Sequence, residues 1–295
     1  MSDSATPLQC PVCSSRNLST LYPDTLGDDL PSFGYAFTPD HGRTYEIHRC
    51  ADCTHAFCVY PARDLWENYE DVVDPSYLER QEERYLTFPK VLRTLDRYLQ
   101  DGSRLLDVGC ATGDFLEVAR RCYRVEGLEP SHYLADVARG RGFTVHSMKL
   151  GEISANPGYD ILTLWGVIEH FESLKEECGH IHHLLKPGGL VALWTGDRCS
   201  WPARLAGRKW WHIQGQHMHF FSRKSITRLF SDQGFDKVSL SNFPFTTNLR
   251  FISKSMAKYR IMGPVAKALF DNRLLGGVVV PLPLPSEMFA IFRKR

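Results

Sequence analysis

Two pairs of cysteines near the start of the chain have the spacing of a metal site. Cys10 and Cys13 form one Cys-x-x-Cys turn, and Cys50 and Cys53 form a second turn, with 36 residues between the two turns. Each turn can direct two thiolates at one ion, so the pair completes a tetrahedral set. A redox dithiol is the alternative, but no thioredoxin-like βαβ pattern surrounds either turn. We expect a structural zinc ion, because the segment between the turns has little core of its own.

A glycine turn followed by a spaced acid forms a second chemical pattern. The turn at residues 109–113 follows one apolar segment, and Glu129 ends the next, 20 residues beyond Gly109. Asp107 and Asp114 flank this turn, where a dinucleotide site would carry Gly-x-Gly-x-x-Gly. Acids are unfavourable beside a pyrophosphate but favourable beside a cationic cofactor. An acid at the end of the next strand can accept both hydroxyls of a ribose.

Histidines in the second half of the chain could move a proton, because the pKa of imidazole is near neutral. Four are candidates for the acceptor side of a site: His170, His212, His217 and His219. A histidine that holds a loop by bonding to backbone is the alternative for His217. A second alternative for His217 is a metal site that it forms together with His212 and His219. Glu169 and His170 could instead cap the helix that follows them.

The elements that must position these residues alternate between strand and helix from residue 104 onward. The pattern predicts strands at 104–108, 123–128, 143–146, 159–165 and 190–195, with helices at 114–122, 131–141 and 174–185. Repeated βα units imply a mainly parallel sheet that binds its ligand at the carboxyl ends of the strands.

The last part of the chain carries a basic insertion. Strands are expected at 235–240 and 287–293, and the 46 residues between them exceed what a tight hairpin needs. Arg250, Lys254 and Lys258 recur every fourth residue, which predicts one basic helix face. Residues 241–295 carry a net charge of +7 on a chain of net charge +1. The helix could pack with its basic side in solvent, cover the site as a lid, form a dimer surface or lie on an anionic membrane.

In combination, these motifs resemble those of class I S-adenosylmethionine-dependent methyltransferases, in the branch with an N-terminal four-cysteine ribbon. The resemblance runs over about residues 69–295 and is carried by five main segments: LLDVGCATG (105–113), GLEP (127–130), YDILTLWGVIEH (159–170), LLKPGGLV (184–191) and HMHFFS (217–222). It implies an α/β fold with a Rossmann-like, seven-stranded, mostly parallel sheet and an N-terminal zinc-ribbon unit. The implied domains are a ribbon-like unit at 1–62, a helical linker or cap at 63–103, and a methyltransferase domain at 104–295 with an insertion at about 241–286.

The resemblance also implies a set of site residues. The residues implied to bind S-adenosylmethionine are Asp107, Gly109, Ala111, Gly113, Glu129, Leu150, Trp165 and Gly166. Ala111 stands where many members have glycine, and Gly166 replaces a frequent aspartate. His217 fits the His-x-x-Phe segment of the family and is the preferred general base, with His170 as the second catalytic candidate.

We therefore predict a methyltransferase that acts on a small-molecule acceptor, a sugar or secondary metabolite, with O-methylation favoured. N-methylation of a heterocycle or RNA base and a non-catalytic binding module are the alternatives. Residues 1–60 carry only Arg16, Arg43 and Arg49 as basic residues, which disfavours a nucleic-acid partner. The sequence has no signal-like start and no apolar run of the roughly 20 residues that a membrane span needs, so a cytoplasmic protein is expected. A homodimer and peripheral membrane contact are left open.

Overall fold

A seven-stranded sheet forms the centre of the computed structural model, which describes residues 7–29, 31–35, 42–59, 65–79, 81–154, 158–256, 262–272, 275–282 and 284–295. Its strands are β4 (Arg104–Val108), β5 (Arg124–Leu128), β6 (Val145–His146), β7 (Tyr159–Trp165), β8 (Leu185–Gly196), β10 (Phe235–Phe243) and β13 (Leu284–Lys294). Their order across the sheet is β10-β13-β8-β7-β4-β5-β6. The strands from β8 to β6 pair in parallel, and β13 lies antiparallel between β8 and β10. This confirms the predicted Rossmann-like sheet.

Both faces of the central sheet are buried, as a sheet covered by helices requires. Successive residues of β4 point to opposite faces: Leu105 joins one hydrophobic cluster and Leu106 the other. The covering helices are α3 (Gln81–Leu95), α4 (Asp114–Ala119), α5 (His132–Gly140), α6 (Leu174–Leu184) and α8 (Arg223–Asp232). Ser131 caps α5 by accepting the N–H of Leu134, and Ser222 caps α8 by accepting the N–H of Ser225.

Strand β8 begins earlier than the sequence predicts. The Pro187-Gly188-Gly189 turn was expected to separate a helix from a strand starting at Leu190, whereas β8 already begins at Leu185. Its register against β7 is irregular over this segment, with Tyr159 opposite Leu185 and Ile161 opposite Leu190. The extra residues therefore form an irregularity within the strand.

The N-terminal unit contains a small antiparallel sheet, which a later segment of the chain completes. Its strands are β1 (Leu18–Tyr22), β2 (Ile47–Cys50), β3 (Ala56–Cys58) and β9 (His219–Phe220), in that order. Strand β9 follows His217, the predicted general base. It pairs with β3, where Ala56 lies opposite Phe220. The N-terminal unit is thereby fixed directly to the segment that carries His217.

Helices connect the small sheet to the central one. They are α1 (Leu65–Glu70), α2 (Ser76–Glu79) and α3. Helix α3 buries Phe88, Val91, Leu92 and Leu95 against the central sheet. A further short helix, α7 (Trp201–Ala206), follows β8.

The described residues of the late insertion form two helices and a small two-stranded antiparallel sheet, whose strands flank the helices in the chain. Its elements are β11 (Thr246–Asn248), α9 (Leu249–Met256), α10 (Met262–Phe270) and β12 (Val279–Pro281). Arg250 and Lys254 lie in α9, while Lys258 falls outside the described residues. Across the described part of the chain, every helix is too short or too polar to cross a lipid bilayer.

Candidate active site

A cleft of about 1510 Å³ opens at the carboxyl ends of β4, β5 and β7. This exceeds the roughly 300–1,000 Å³ of a typical single-ligand pocket, so the cleft has room for two ligands side by side. Tyr35, Tyr69 and Tyr77 from the N-terminal part of the chain also line it. The position of the cleft agrees with the general rule for open parallel sheets.

The turn after β4 approaches the cleft with its backbone. Gly109 has a φ of +71°, and a Cβ at this position would lie 2.6 Å from Cγ2 of Val167. Ala111 has a φ of +45°, an unusual value for a residue with a side chain. Its N–H donates to Oε2 of Glu129 at 2.7 Å. The turn is thus tied to the acid that the sequence places 20 residues beyond its first glycine.

Glu129 is fully buried and accepts three hydrogen bonds. Besides the N–H of Ala111, its carboxylate accepts the N–H of Ser131 at 2.9 Å and the hydroxyl of Tyr35. Burial raises the pKa of Glu129 to about 7, although the hydrogen bond from Tyr35 acts in the opposite direction. Tyr35 was not predicted as a site residue, because no local pattern places a residue of the N-terminal unit at this carboxylate.

Most of the predicted cofactor residues line the cleft. They are Gly109, Ala111, Leu150, Trp165 and Gly166. The buried indole N–H of Trp165 has no hydrogen-bond partner among the described residues. Gly166 has a φ of +72°, and a Cβ there would lie 3.0 Å from Cζ3 of Trp194. The glycine that replaces a frequent aspartate therefore fits a close approach to this indole.

Two of the predicted cofactor residues lie behind the turn. Asp107 is buried and accepts the hydroxyl of Thr163 at 2.6 Å, and burial raises its pKa to about 8. Gly113 has a φ of +76°, and a Cβ there would meet Phe143 at 3.0 Å. Both residues support the shape of the turn from behind.

Asp114, the acid directly after the turn, is paired with two guanidinium groups. Nε of Arg84 lies 2.7 Å and Nη1 of Arg141 lies 2.8 Å from its carboxylate oxygens. Its negative charge therefore joins α3 and the end of α5 to the turn.

Three of the four predicted histidines meet on the other side of the cleft, next to Glu169. His170, His212 and His217 all line the cleft, as Glu169 does. Nε2 of His212 lies 3.4 Å from Oε1 of Glu169, and the hydroxyl of Thr195 donates to Oε2 at 3.0 Å. Nδ1 of His217 lies 2.7 Å from the backbone oxygen of His212.

His219 points away from this group, so the suggested set of His212, His217 and His219 does not form. Its Nδ1 lies 3.2 Å from Nε2 of His55, and its Nε2 lies 2.8 Å from the backbone oxygen of Phe171. His219 thus links the small N-terminal sheet to the loop after β7.

Burial keeps the cleft histidines neutral. It lowers the pKa of His170 to about 4 and that of His212 to about 3, and it holds the pKa of His217 well below the ordinary value. Burial also raises the pKa of Glu169 to about 7. A neutral imidazole has a lone pair on one ring nitrogen and can accept a proton or bind a cation there.

Trp201, Trp210 and Trp211, which lie close together in the sequence, have different surroundings. Trp211 lines the cleft, Trp210 is buried in the core beneath the small sheet, and the side chain of Trp201 is 68% exposed. Trp194 lies 6.4 Å from Trp211 and 5.0 Å from Phe243, both stacked, measured between ring centroids. These three rings form an aromatic wall, because each of them lines the cleft.

The four N-terminal cysteines converge as their spacing predicts. Sγ of Cys10 lies 3.5 Å from Sγ of Cys53, Sγ of Cys13 lies 3.6 Å from Sγ of Cys50, and all four lie within 4.8 Å of one another. Zinc–sulfur bonds of about 2.3 Å in a tetrahedron place sulfurs about 3.8 Å apart. The four thiols therefore fit one zinc ion without rearrangement of the backbone.

The other five cysteines are isolated. Cys58, Cys110 and Cys178 are buried, whereas Cys122 and Cys199 are half-buried.

Comparison with known families identifies the chain. The family model described as "Methyltransferase domain" matches residues 77–240, which is more than half of the chain, so the protein belongs to this family. The chain thus contains a methyltransferase domain, as its motifs predict.

Among curated relatives, the tRNA (carboxymethyluridine(34)-5-O)-methyltransferase ALKBH8 of Macaca fascicularis is 30% identical over 121 residues, 39% of this chain and 18% of that protein. The malonyl-(acyl-carrier protein) O-methyltransferase of Serratia marcescens is 30% identical over 126 residues, 41% of this chain and 48% of that protein. The matches thus span less than half of each relative.

Solved structures share the fold. A complex of the Haloferax volcanii Trm112 methyltransferase activator with a methyltransferase matches with a TM-score of 0.56 and 14% identity, over 79% of this chain and 99% of that chain. A SAM-dependent methyltransferase of Thermotoga maritima matches with a TM-score of 0.53 and 17% identity, over 79% of this chain and 100% of that chain.

Proposed function

We propose that this enzyme transfers a methyl group from S-adenosylmethionine to an oxygen atom of a small-molecule acceptor. The observation that carries the proposal is the division of one cleft into two sides. Glu129 and the glycine turn form one side, and neutral, buried imidazoles next to an aromatic wall form the other. A cofactor and an acceptor can thus lie next to each other, which is the main requirement of a direct transfer.

The cofactor side supplies groups suited to a nucleoside. Glu129 would accept the ribose hydroxyls in place of the hydroxyl of Tyr35, and Gly109 lets the backbone approach closely. Leu150 would contact the adenine edge, and Trp165 with Gly166 would form the floor. Asp107 and Gly113 maintain the turn. S-adenosylmethionine, when bound, supplies a methyl group that is already activated by its sulfonium charge.

The acceptor side supplies a proton acceptor, as a hydroxyl nucleophile requires. We assign this role to Nε2 of His217, because its Nδ1 is directed at the backbone oxygen of His212. His170 is the second catalytic candidate and lies 4.7 Å from His217 between ring centroids. A general base of this kind contributes typically about 10²–10⁴-fold to the rate.

The surfaces around the cleft favour a small acceptor over RNA. Trp194, Trp211 and Phe243 can stack on a flat ring or on the apolar face of a sugar. Residues 1–60 carry three arginines against seven acidic residues, which opposes contact with a phosphate backbone. The curated relatives are named for tRNA and for malonyl-acyl-carrier protein, and these two acceptors are therefore the alternatives to test.

We further propose that Cys10, Cys13, Cys50 and Cys53 hold a structural zinc ion. Their mutual distances fit a tetrahedral site, and four protein ligands leave no open position for chemistry. Residues 1–62 would form the ribbon-like unit, 63–103 the helical cap and 104–295 the methyltransferase domain with its insertion at about 241–286. None of the nine cysteines, all of which the structure describes, forms a disulfide, which is consistent with the cytoplasm as the proposed location.

The test is methyl transfer from labelled S-adenosylmethionine to a panel of phenols, sugars and nucleotide sugars. A tRNA transcript and an acyl-carrier protein with a malonyl group serve as the alternative acceptors. We expect equal amounts of S-adenosylhomocysteine and of an O-methylated small molecule. Transfer to tRNA or to the carrier protein with none to any small molecule would overturn the proposed acceptor class. Absence of any thermal stabilisation by S-adenosylhomocysteine would favour a non-catalytic module.

A further inference from the structure

Three side chains on the acceptor side of the cleft converge on one point. Glu169 and His170 belong to the short 3-10 helix Ile168–His170 after β7, and His217 precedes β9. One candidate ligand atom from each lies within 4.8 Å of the other two. Ligands of one metal ion at about 2.0–2.2 Å are typically up to about 4 Å apart, so only a small contraction is needed.

Backbone oxygens determine which nitrogen of each histidine is available. Nδ1 of His217 lies 2.7 Å from the oxygen of His212, and Nδ1 of His170 lies 3.1 Å from the oxygen of Gln216. Because a carbonyl oxygen can only accept a hydrogen bond, Nδ1 of His217 carries the proton and its Nε2 carries the lone pair. Nδ1 of His170 also lies 3.0 Å from the hydroxyl of Tyr69. His170 has the same tautomer as His217 when that hydroxyl donates to Oε1 of Gln216, which lies 3.5 Å away. In the described part of the chain no donor reaches either Nε2. Metal-binding histidines have this same arrangement, with the second nitrogen donating to a carbonyl.

The surroundings of Glu169 point in the same direction. Its carboxylate is held by the hydroxyl of Thr195, and Nε2 of the buried His212 lies 3.4 Å away. Both ring nitrogens of His212 lack a hydrogen-bond partner among the described residues. Buried polar atoms without partners are rare and call for an explanation, such as an ion at the site.

We propose that Glu169, His170 and His217 form a binding site for a divalent transition-metal cation in the acceptor half of the cleft. Two imidazoles and one carboxylate suit Mn²⁺, Fe²⁺, Co²⁺ or Zn²⁺. Three protein ligands leave positions open to oxygen atoms of the acceptor. This site is separate from the four-thiolate site, whose ligands are complete.

The role of the cation rests on the proposed function. A bound cation would hold the acceptor oxygen and lower the pKa of its hydroxyl, so that the proton passes to a water molecule of the cleft before the oxygen takes the methyl group from the sulfonium. In that state His217 serves as a ligand, and it serves as the proton acceptor only when the cluster holds no cation. An acceptor with two neighbouring oxygens would fit best, because both could occupy open positions.

The experiment is a titration with Mn²⁺ of the 295-residue protein, whose four N-terminal cysteines already hold zinc. Electron paramagnetic resonance measures the concentration of free Mn²⁺. Mn²⁺ is the probe because it prefers nitrogen and oxygen to thiolate ligands. We expect one Mn²⁺ per chain, and at least about 10-fold weaker binding by Glu169→Gln and by His217→Gln. His183→Ala, an exposed histidine on α6, is the matched control and should bind as the wild type does.

The same titration separates this inference from the proposed function. The cation site would be overturned if Glu169→Gln and His217→Gln both bound Mn²⁺ with the affinity of the wild type. It would also be overturned if the wild type bound no Mn²⁺. S-adenosylhomocysteine binding is measured in parallel and does not require Mn²⁺, so its loss would count only against the proposed function. If thermal melting shows that a variant does not fold, Thr195→Val replaces it. This change removes only the hydroxyl that holds Glu169, and a 10- to 100-fold weaker affinity is expected.

Discussion

Substitution of Glu129 should weaken binding of S-adenosylhomocysteine by a calculable amount. Two hydrogen bonds from ribose hydroxyls to a carboxylate contribute about 1.5 kcal/mol each, or about 3 kcal/mol together. The ligand must first replace the hydrogen bond from Tyr35, which offsets about 1–1.5 kcal/mol of that gain. The net loss of about 1.5–2 kcal/mol corresponds to a roughly 10- to 30-fold higher Kd.

The choice of variant matters because Glu129 also binds the backbone. Glu129→Ala would leave the buried N–H groups of Ala111 and Ser131 without an acceptor, which costs about 1–3 kcal/mol of stability for each. Glu129→Gln keeps one acceptor oxygen and nearly the same shape. It is therefore the better probe of the ligand, and Glu129→Ala should show the larger fall in melting temperature.

The assay is isothermal titration calorimetry with S-adenosylhomocysteine, with melting curves from circular dichroism. Asp136→Asn is the matched control, because it removes a carboxylate from the exposed side of α5. A Kd for Glu129→Gln within about twofold of wild type would refute the assignment of Glu129 to the ribose. It would also remove the reason for calling this side of the cleft the cofactor side.

Four further predictions follow from the same contacts. Because burial raises the pKa of Glu129 to about 7, its carboxylate becomes ionised as the pH rises, so affinity for S-adenosylhomocysteine should increase from pH 6 to 8 and be nearly flat in Glu129→Gln. Tyr35→Phe removes the competing hydroxyl and should tighten the same ligand several-fold by calorimetry, whereas Tyr77→Phe should not. His217→Asn should lower the methyl-transfer rate at saturating cofactor by about 10²–10⁴-fold and leave cofactor affinity unchanged. Cys50→Ser should release zinc, measured by elemental analysis, and lower the melting temperature, whereas Cys199→Ser should do neither.

Each of these predictions has an outcome that contradicts it. A pH profile of Glu129→Gln that matches wild type would assign the titration to another group, such as Asp107. Weaker binding by Tyr35→Phe would make Tyr35 part of the cofactor site. Wild-type turnover by His217→Asn would leave this histidine a purely structural role, and full zinc content in Cys50→Ser would refute the ribbon.

Local patterns predicted the parts of the site that belong to single turns. The glycine turn and Glu129 come together because they follow adjacent parallel strands, whose carboxyl ends meet at one edge of the sheet. The two Cys-x-x-Cys turns have a geometry that hardly depends on the rest of the chain. The early start of β8 was not predicted, because glycine and proline usually end an element and here form an irregularity within one.

The amino-acid sequence by itself thus determined the fold class, the methyltransferase family and the four cysteines that converge, since these depend on the spacing within short motifs and on the periodicity of apolar residues. Only the tertiary structure decided that Tyr35 covers Glu129 and that Arg84 and Arg141 neutralise Asp114. It also decided that Glu169 lies next to His170 and His217, whereas His219 contacts His55 instead. The physical reason is the distance along the chain. Contacts between segments tens of residues apart depend on how the N-terminal unit packs on the sheet, and no repeating pattern in the sequence records that packing.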